Sequence, residues 1–179
     1  EQPSPGLTAF YEGCTTMAEK AKKAAALEHV DFVNLHFASA DPNGANKSVE
    51  DCVADAKAVA EAIDKPIVIS GCKNPEKDAE LFSKISEALQ GKNILVLSAR
   101  EENYKGIAAG VGLAYGQKVG AESAVDINLA KQLNVLITQM GLDGKNIAMN
   151  VGSAAAGYGF EYVVSTLERV KAAALSQND

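Results

Sequence analysis

The stretch that decides the fold is Pro66-Ile67-Val68-Ile69-Ser70-Gly71-Cys72-Lys73-Asn74-Pro75-Glu76-Lys77-Asp78. Its consecutive β-branched apolar residues read as a short strand of a parallel sheet, buried on both faces. Gly71 interrupts the run. Asn74 then offers a capping amide directly ahead of Pro75, whose missing N–H costs nothing at the first position of a helix. Helical period continues over residues 75–89, and Gly91 sits where a C-terminal glycine belongs. A strand, a turn and a capped helix are therefore legible in one continuous segment. Outward from it the same succession recurs. Strands are predicted at residues 32–37, 66–70, 94–98, 118–122 and 146–151, and the helices that follow them at 49–63, 75–89, 103–114, 126–140 and 159–175. Ser48 with Asp51 resembles a capping box for the first of these helices, and Gly141 closes the fourth.

Strand starts fall roughly 25 to 35 residues apart, the size of a βα unit, which implies a parallel sheet with right-handed crossovers. The class is α/β. No Gly-x-Gly-x-x-Gly follows the first strand and no Gly-x-x-x-x-Gly-Lys-Ser/Thr occurs, so the usual dinucleotide and P-loop signals of an open sheet are missing. That favours a TIM (β/α)8-type barrel. Such a barrel normally has about 200 residues or more in eight units, so the expectation is a partial barrel of about five consecutive βα units, with an open sheet as the alternative. Residues 1–28 read as an N-terminal segment, a lead-in loop over 1–12 and an Ala- and Lys-rich helix over 16–27; residues 29–179 read as the βα-repeat barrel segment.

Composition narrows the function classes. Of 179 residues, 47% are hydrophobic and 22% charged, with 17 basic against 23 acidic groups and a formal net charge of −6. A main task of gripping nucleic acid or an anionic membrane needs a basic field, which this chain lacks. No run approaches the roughly 20 apolar residues of a membrane span, and the first residues show no signal-peptide pattern, so a cytoplasmic location is expected. Cys14, Cys52 and Cys72 contain no Cys-x-x-Cys, which suggests neither a disulfide framework nor a self-contained zinc or iron–sulfur site.

In parallel architectures ligands bind beyond the carboxyl ends of the strands. The polar residues found there include Ser39, Asp41 and Asn43 after the first strand, and Ser70, Gly71 and Asn74 after the second. Ser98, Arg100 and Asn103 follow the third, Glu122, Ser123 and Asp126 the fourth, and Asn150, Ser153 and Tyr158 the fifth. Amides and hydroxyls dominate, suited to hydrogen bonding a large polar ligand. Several have local roles as well: Asn74 and Asp126 read as helix caps, and Glu101 with Glu102 as favourable charge at a helix start. The segment 152–159, with Gly152, Gly157 and Gly159, lets backbone N–H groups approach either a phosphate or a neighbouring backbone. Nucleophilic catalysis is poorly supported. His29 precedes the first strand, His36 can point to either face, and neither has an identifiable serine or cysteine partner. No catalytic residue and no metal ligand set is expected.

Glu102-Asn103-Tyr104-Lys105, Ala114-Tyr115-Gly116, the run Asp126-Ile127-Asn128-Leu129-Ala130-Lys131-Gln132-Leu133-Asn134, and Gly157-Tyr158-Gly159-Phe160-Glu161-Tyr162 carry a resemblance. Together with Asn46-Lys47-Ser48 and Gly71-Cys72-x-Asn74-Pro75, over residues 30–175, they are similar to the small subunit of the corrinoid iron–sulfur protein, also called the delta subunit of acetyl-CoA decarbonylase/synthase. The resemblance implies a TIM barrel that pairs with a larger subunit carrying cobalamin and a 4Fe-4S cluster. The barrel mouth would cap the corrinoid while a methyl group passes from a methylated pterin, delivered by a pterin methyltransferase, to acetyl-CoA synthase. This chain would bind no cofactor alone and act as a non-catalytic subunit. The residues the resemblance and position single out are Asn103, Tyr104, Ser123, Asp126, Asn128, Ser153, Tyr158 and Gly159. Where the family usually has Asp-Pro-Thr-Thr-Gly, this chain has Asn150-Val151-Gly152-Ser153-Ala154. Two alternatives stand beside this reading: a pterin-binding methyltransferase acting as an enzyme itself, and a stable barrel fragment without function.

Overall fold

A computed structural model describes residues 4–177. The strands β1 (Val33–His36), β2 (Ile67–Ser70), β3 (Ile94–Ala99), β4 (Lys118–Glu122) and β5 (Ile147–Asn150) form a single sheet in the order β1-β2-β3-β4-β5, every neighbour parallel. Each strand thus pairs with the next one in sequence, without the reversal of order that marks a doubly wound sheet. Between and around them lie α1 (Pro5–Phe10), α2 (Met17–Ala25), α3 (Val49–Ala62), α4 (Pro75–Ala88), α5 (Tyr104–Ile107), α6 (Ile127–Gln139) and α7 (Phe160–Gln177).

Register explains which face is covered. Leu35, Ile69, Val96, Val119 and Ile147 stand side by side across the sheet, as do Val33, Ile67 and Ile94. These rows are buried, apart from a partly buried Ile147, in one core with Val59 of α3, Phe82 and Ile85 of α4, and Leu133 and Ile137 of α6. Each helix from α2 onward also packs on the next, so the helices form one layer. Because side chains alternate along a strand, the intervening rows face the other way. They are Asn34-Val68-Leu95-Lys118 and His36-Ser70-Leu97-Gly120-Ala148. Asn34 and His36 are exposed there, and Leu95 and Leu97 only partly covered.

Three expectations need correction. The lead-in loop contains a helix over residues 5–10: Ser4 accepts from the Leu7 N–H at 3.3 Å and Pro5 takes the first helical position, the same Ser/Asn-Pro device that starts α4. Residues 1–3 of that loop lie outside the described residues. The helix expected over 103–114 is α-helical over Tyr104–Ile107, widens to π-helical turns over Ala108–Leu113, where Gly112 leaves room for Leu142 and Val119, and is α-helical again at residues 114–115. Glu101 and Glu102 occupy a turn ahead of α5 and do not lie in its first turn.

At α2 a full capping box is present. Thr16 accepts from the Glu19 N–H at 3.2 Å, and the Glu19 carboxylate accepts from the backbone of Thr16 at 2.9 Å and of Thr15 at 2.8 Å. Those backbone bonds to Thr16 and Thr15, strengthened by the hydroxyls, hold the Glu19 carboxyl at a pKa of about 2. A carboxyl depressed on folding stabilises the folded state above its unfolded value near 4.5, and that contribution fades as pH falls towards 2. Glu19→Gln is therefore expected to flatten the fall of Tm between those limits, read by circular dichroism melts; parallel curves for variant and native chain would refute the assignment.

Candidate functional site

The carboxyl edge gathers polar groups from all five strands around a cavity of about 290 Å³. Asn34 and His36 reach it because they alternate with the buried Val33 and Leu35 on β1. Ser70 ends β2 and donates to Asn34 Oδ1 at 2.9 Å. Leu97 and Ser98 come from β3, and Arg100, one residue beyond it, donates through Nη2 to Glu122 Oε1 at the end of β4, 2.9 Å away. Asn150 closes the far side from β5, its Oδ1 accepting from the Gly152 N–H at 3.0 Å. Asn103 Oδ1 accepts from the Arg100 N–H at 2.7 Å and so fixes the turn that presents the guanidinium.

One wall is the β2–α4 loop. Asp78 is buried, and its Oδ1 accepts from the Cys72 N–H at 2.7 Å and lies 3.2 Å from the Cys72 Sγ, while its Oδ2 accepts from the Lys73 N–H at 2.9 Å. A Cβ at position 71 would fall on this carboxylate, so only glycine admits it. Burial above all pushes the Cys72 thiol above its ordinary range, which opposes the thiolate a nucleophile requires. His36 hydrogen-bonds no serine, threonine or cysteine among the described residues. The arrangement can bind and orient, and among the described residues no hydroxyl or thiol of the lining is hydrogen-bonded to a histidine. Among the described residues no three His, Cys, Asp or Glu side chains converge as a metal site, and no helix is long and apolar enough to cross a membrane.

Of the residues singled out from the sequence, Asn103 alone lines this cavity. Tyr104 lies outside it, over a separate hollow shared with Gln132 and Leu136 of α6. Ser123 is buried with its hydroxyl unpaired. Asp126 caps α6, accepting from the Asn128 and Leu129 N–H groups at 2.8 and 3.1 Å, and Asn128 is exposed on the first turn. Ser153 and Tyr158 are exposed and Gly159 half-buried in the β5–α7 loop. Gly152 resolves the question of what its backbone approaches: a Cβ there would meet the Ala124 Cα at 3.4 Å and the Val125 N at 3.5 Å, a neighbouring loop. That loop holds Ala124 and Val125 at φ 48° and 68°, a conformation a β-branched residue adopts only under constraint, here the Val125 N–H donating to Val151 O at 2.6 Å. The sequence reading placed Arg100, Glu122 and Asn150 on the rim, but Asn34 was missed. The signal was the period of two along Val33-Asn34-Leu35-His36, which puts a polar pair on one face.

Residues 2–179 match the family model described as CO dehydrogenase/acetyl-CoA synthase delta subunit. Among curated proteins, the acetyl-CoA decarbonylase/synthase complex subunit delta of Methanopyrus kandleri is 30% identical over 150 residues, covering 84% of this chain and 38% of the relative. Subunit delta 1 of Methanosarcina thermophila is 32% identical over 171 residues, 95% of this chain and 39% of the relative. The subunit delta of Methanothermobacter thermautotrophicus is 30% identical over 179 residues, covering 97% of this chain and 46% of the relative. The chain spans less than half the length of these relatives. With a family model matched over nearly every residue, the chain belongs to the CO dehydrogenase/acetyl-CoA synthase delta subunit family, the small subunit of the corrinoid iron–sulfur protein that the Asp126–Asn134 motif resembles.

Proposed function

We propose that this chain is part of a barrel subunit whose carboxyl-edge mouth caps a corrinoid held by a larger partner subunit. The observation that carries the reading is the cavity itself: polar side chains from five strands converge there without a nucleophile paired to a base. A bound corrinoid would supply the methyl-carrying chemistry. The residues of this chain would position it, Asn34, Arg100 and Asn150 by hydrogen bonds, while Leu97 keeps water from the floor. A 4Fe-4S cluster takes four thiolates, and the three cysteines here, two of them buried, do not fit that requirement, which supports placing the cluster on the partner. A pterin methyltransferase and acetyl-CoA synthase would be the donor and acceptor of the methyl group.

Sequential strand order and a helix layer on one face support an arc of a (β/α)8 barrel. The uncovered rows that include Leu95 and Leu97, and the exposed Phe160, Val164 and Leu167 spaced as one stripe of α7, are the surfaces that further βα units would cover. In this reading Tyr158, Ser153, Gly159 and Asn128, together with Tyr104 and Asp126, belong to the outer mouth that meets the partner, and Ser123 lies buried behind it. The test is a reconstituted heterodimer, scored for methyl transfer from a methylated tetrahydropterin and for the visible spectrum of the corrinoid, with native chain, Asn128→Ala and Tyr158→Ala. Slower transfer and a shifted spectrum are expected of the variants; identical behaviour of all three would overturn the proposal.

A further inference from the structure

Backbone strain at the rim is concentrated in one loop. Between β4 and α6, Ala124 and Val125 both lie in the left-handed region, at φ 48° and 68°. Each L-residue is disfavoured there about tenfold, and a β-branched one more. The loop carries two further costs. The Ser123 hydroxyl, 1% exposed, has no hydrogen-bond partner among the described residues. The Val125 carbonyl is reached among them only by Thr166 Oγ1, 3.5 Å away, whose single proton already goes to Tyr162 O at 2.8 Å.

Such costs persist only where the surroundings impose the conformation. Here the constraint is a latch to the next loop. The Val125 N–H donates to Val151 O at 2.6 Å, just after β5. Gly152 brings the two backbones together, since a Cβ there would stand 3.4 Å from the Ala124 Cα and 3.5 Å from the Val125 N. On either side the chain is firmly held: the Ser123 N–H donates to Asn150 O at 3.0 Å, and the Asp126 carboxylate caps α6. The strain is thus confined to two residues between fixed ends. Breaking one backbone bond lets both return to right-handed or extended values, so the loop has two states of similar free energy.

The latch also sits where it can be pulled. Val151 and Gly152 open the β5–α7 loop, in which Ser153 is exposed and Tyr158 is 87% exposed. Ala124 in turn walls a hollow at the rim beside Arg100, Glu122 and Leu129. A displacement of the β5–α7 loop is therefore passed to the rim through Val125.

We propose that the β4–α6 loop is a two-state clasp, latched to the β5–α7 loop through Val125 and released when a partner subunit draws on that loop. The proposal rests on the mouth-capping reading for the identity of the partner. Its test is hydrogen–deuterium exchange resolved to single amides, in the 179-residue chain and in the heterodimer, with circular dichroism verifying that the variants fold. In the native chain the Val125 amide is expected to exchange at least about tenfold faster than that of Ser123. Ala124→Gly removes an exposed methyl group and the left-handed penalty, and should slow Val125 about fivefold. Gly152→Ala forces the two loops apart and should speed it about tenfold. Neither should move Ser123. Assembly with the partner should speed Val125, and because Ala124→Gly favours the latched state, it should raise the Kd of the heterodimer by the factor by which it slows exchange. Val125 exchange that ignores both variants, or an equal change at Ser123, overturns the clasp. A heterodimer that protects Val125, or whose Kd ignores Ala124→Gly, overturns its release by the partner. Failure of the native chain to assemble sinks the mouth-capping reading instead, and the response of Val125 in the chain alone still decides the clasp.

Discussion

Asp78→Ala is expected to lower the unfolding free energy by about 3 kcal/mol, since it leaves the N–H groups of Cys72 and Lys73 without their acceptor at a buried position. Bonds to an ionised carboxylate are stronger than those between neutral groups. Lys73 makes the loop more dependent on them, because its φ of 70° lies in the left-handed region and must be held there by its surroundings. Asp78→Asn should fall between native and alanine, as its single oxygen can serve one N–H while its NH2 opposes the other. Gly71→Ala reaches the same network from the opposite side, by driving a methyl group into the carboxylate. Urea denaturation followed by circular dichroism measures all of these. A loss below about 0.5 kcal/mol for Asp78→Ala, the scale of ordinary surface substitutions, would show that the loop is held by something else.

The same loop shows why part of this molecule is legible in its sequence and part is not. Residues 66–78 announce a strand, a turn, a cap and a helix because each signal acts within a few positions: β-branched residues, then Gly71, then Asn74, whose Oδ1 does accept from the Lys77 N–H at 3.0 Å. Asp126 caps as read, Ser48 supplies only the hydroxyl half of the capping box expected with Asp51, and Gly91 and Gly141 take the positive φ of helix ends, 84° and 106°. Local chemistry also started α1 at Ser4-Pro5, where two prolines and a glycine argued for a loop. What the sequence hides is the buried carboxylate. Asp78 stands on the first turn of α4, where an acidic residue is unremarkable at a helix start. Its meeting with Cys72 depends on how tightly the chain turns. The pairings inside the cavity are hidden for a related reason. Arg100 meets Glu122 across 22 residues and Ser70 meets Asn34 across 36, pairings set by strand register. Motif resemblance drew attention to the loops around Asp126 and Tyr158, whereas position after a strand pointed to Arg100, Glu122 and Asn150, and sheet register added Asn34.

The largest single loss of stability is expected from Phe82→Ala. Phe82 is 1% exposed on α4, in the core that joins α3 and the covered rows of β2 and β3 to the π-helical segment. Removing a buried aromatic ring forfeits its transfer free energy and leaves a void that close-packed neighbours only partly fill, together about 3 to 5 kcal/mol. For a chain of this length that corresponds to a fall in Tm of roughly 10 °C. Phe82→Leu keeps most of the volume and should cost less than about 1.5 kcal/mol. The contrast with Asp78 separates core from cavity wall. Phe82 lies one helical turn beyond Asp78 but on the covered side of the sheet, so its truncation should weaken the fold while the surviving folded molecules keep the carboxyl-edge cavity. Asp78→Ala should weaken both, because the loop it pins is part of the cavity wall. The visible corrinoid spectrum of heterodimers reconstituted with each variant, at a temperature where each is more than nine-tenths folded, distinguishes the cases, and equal spectra for both would mean that the β2–α4 loop does not shape the site.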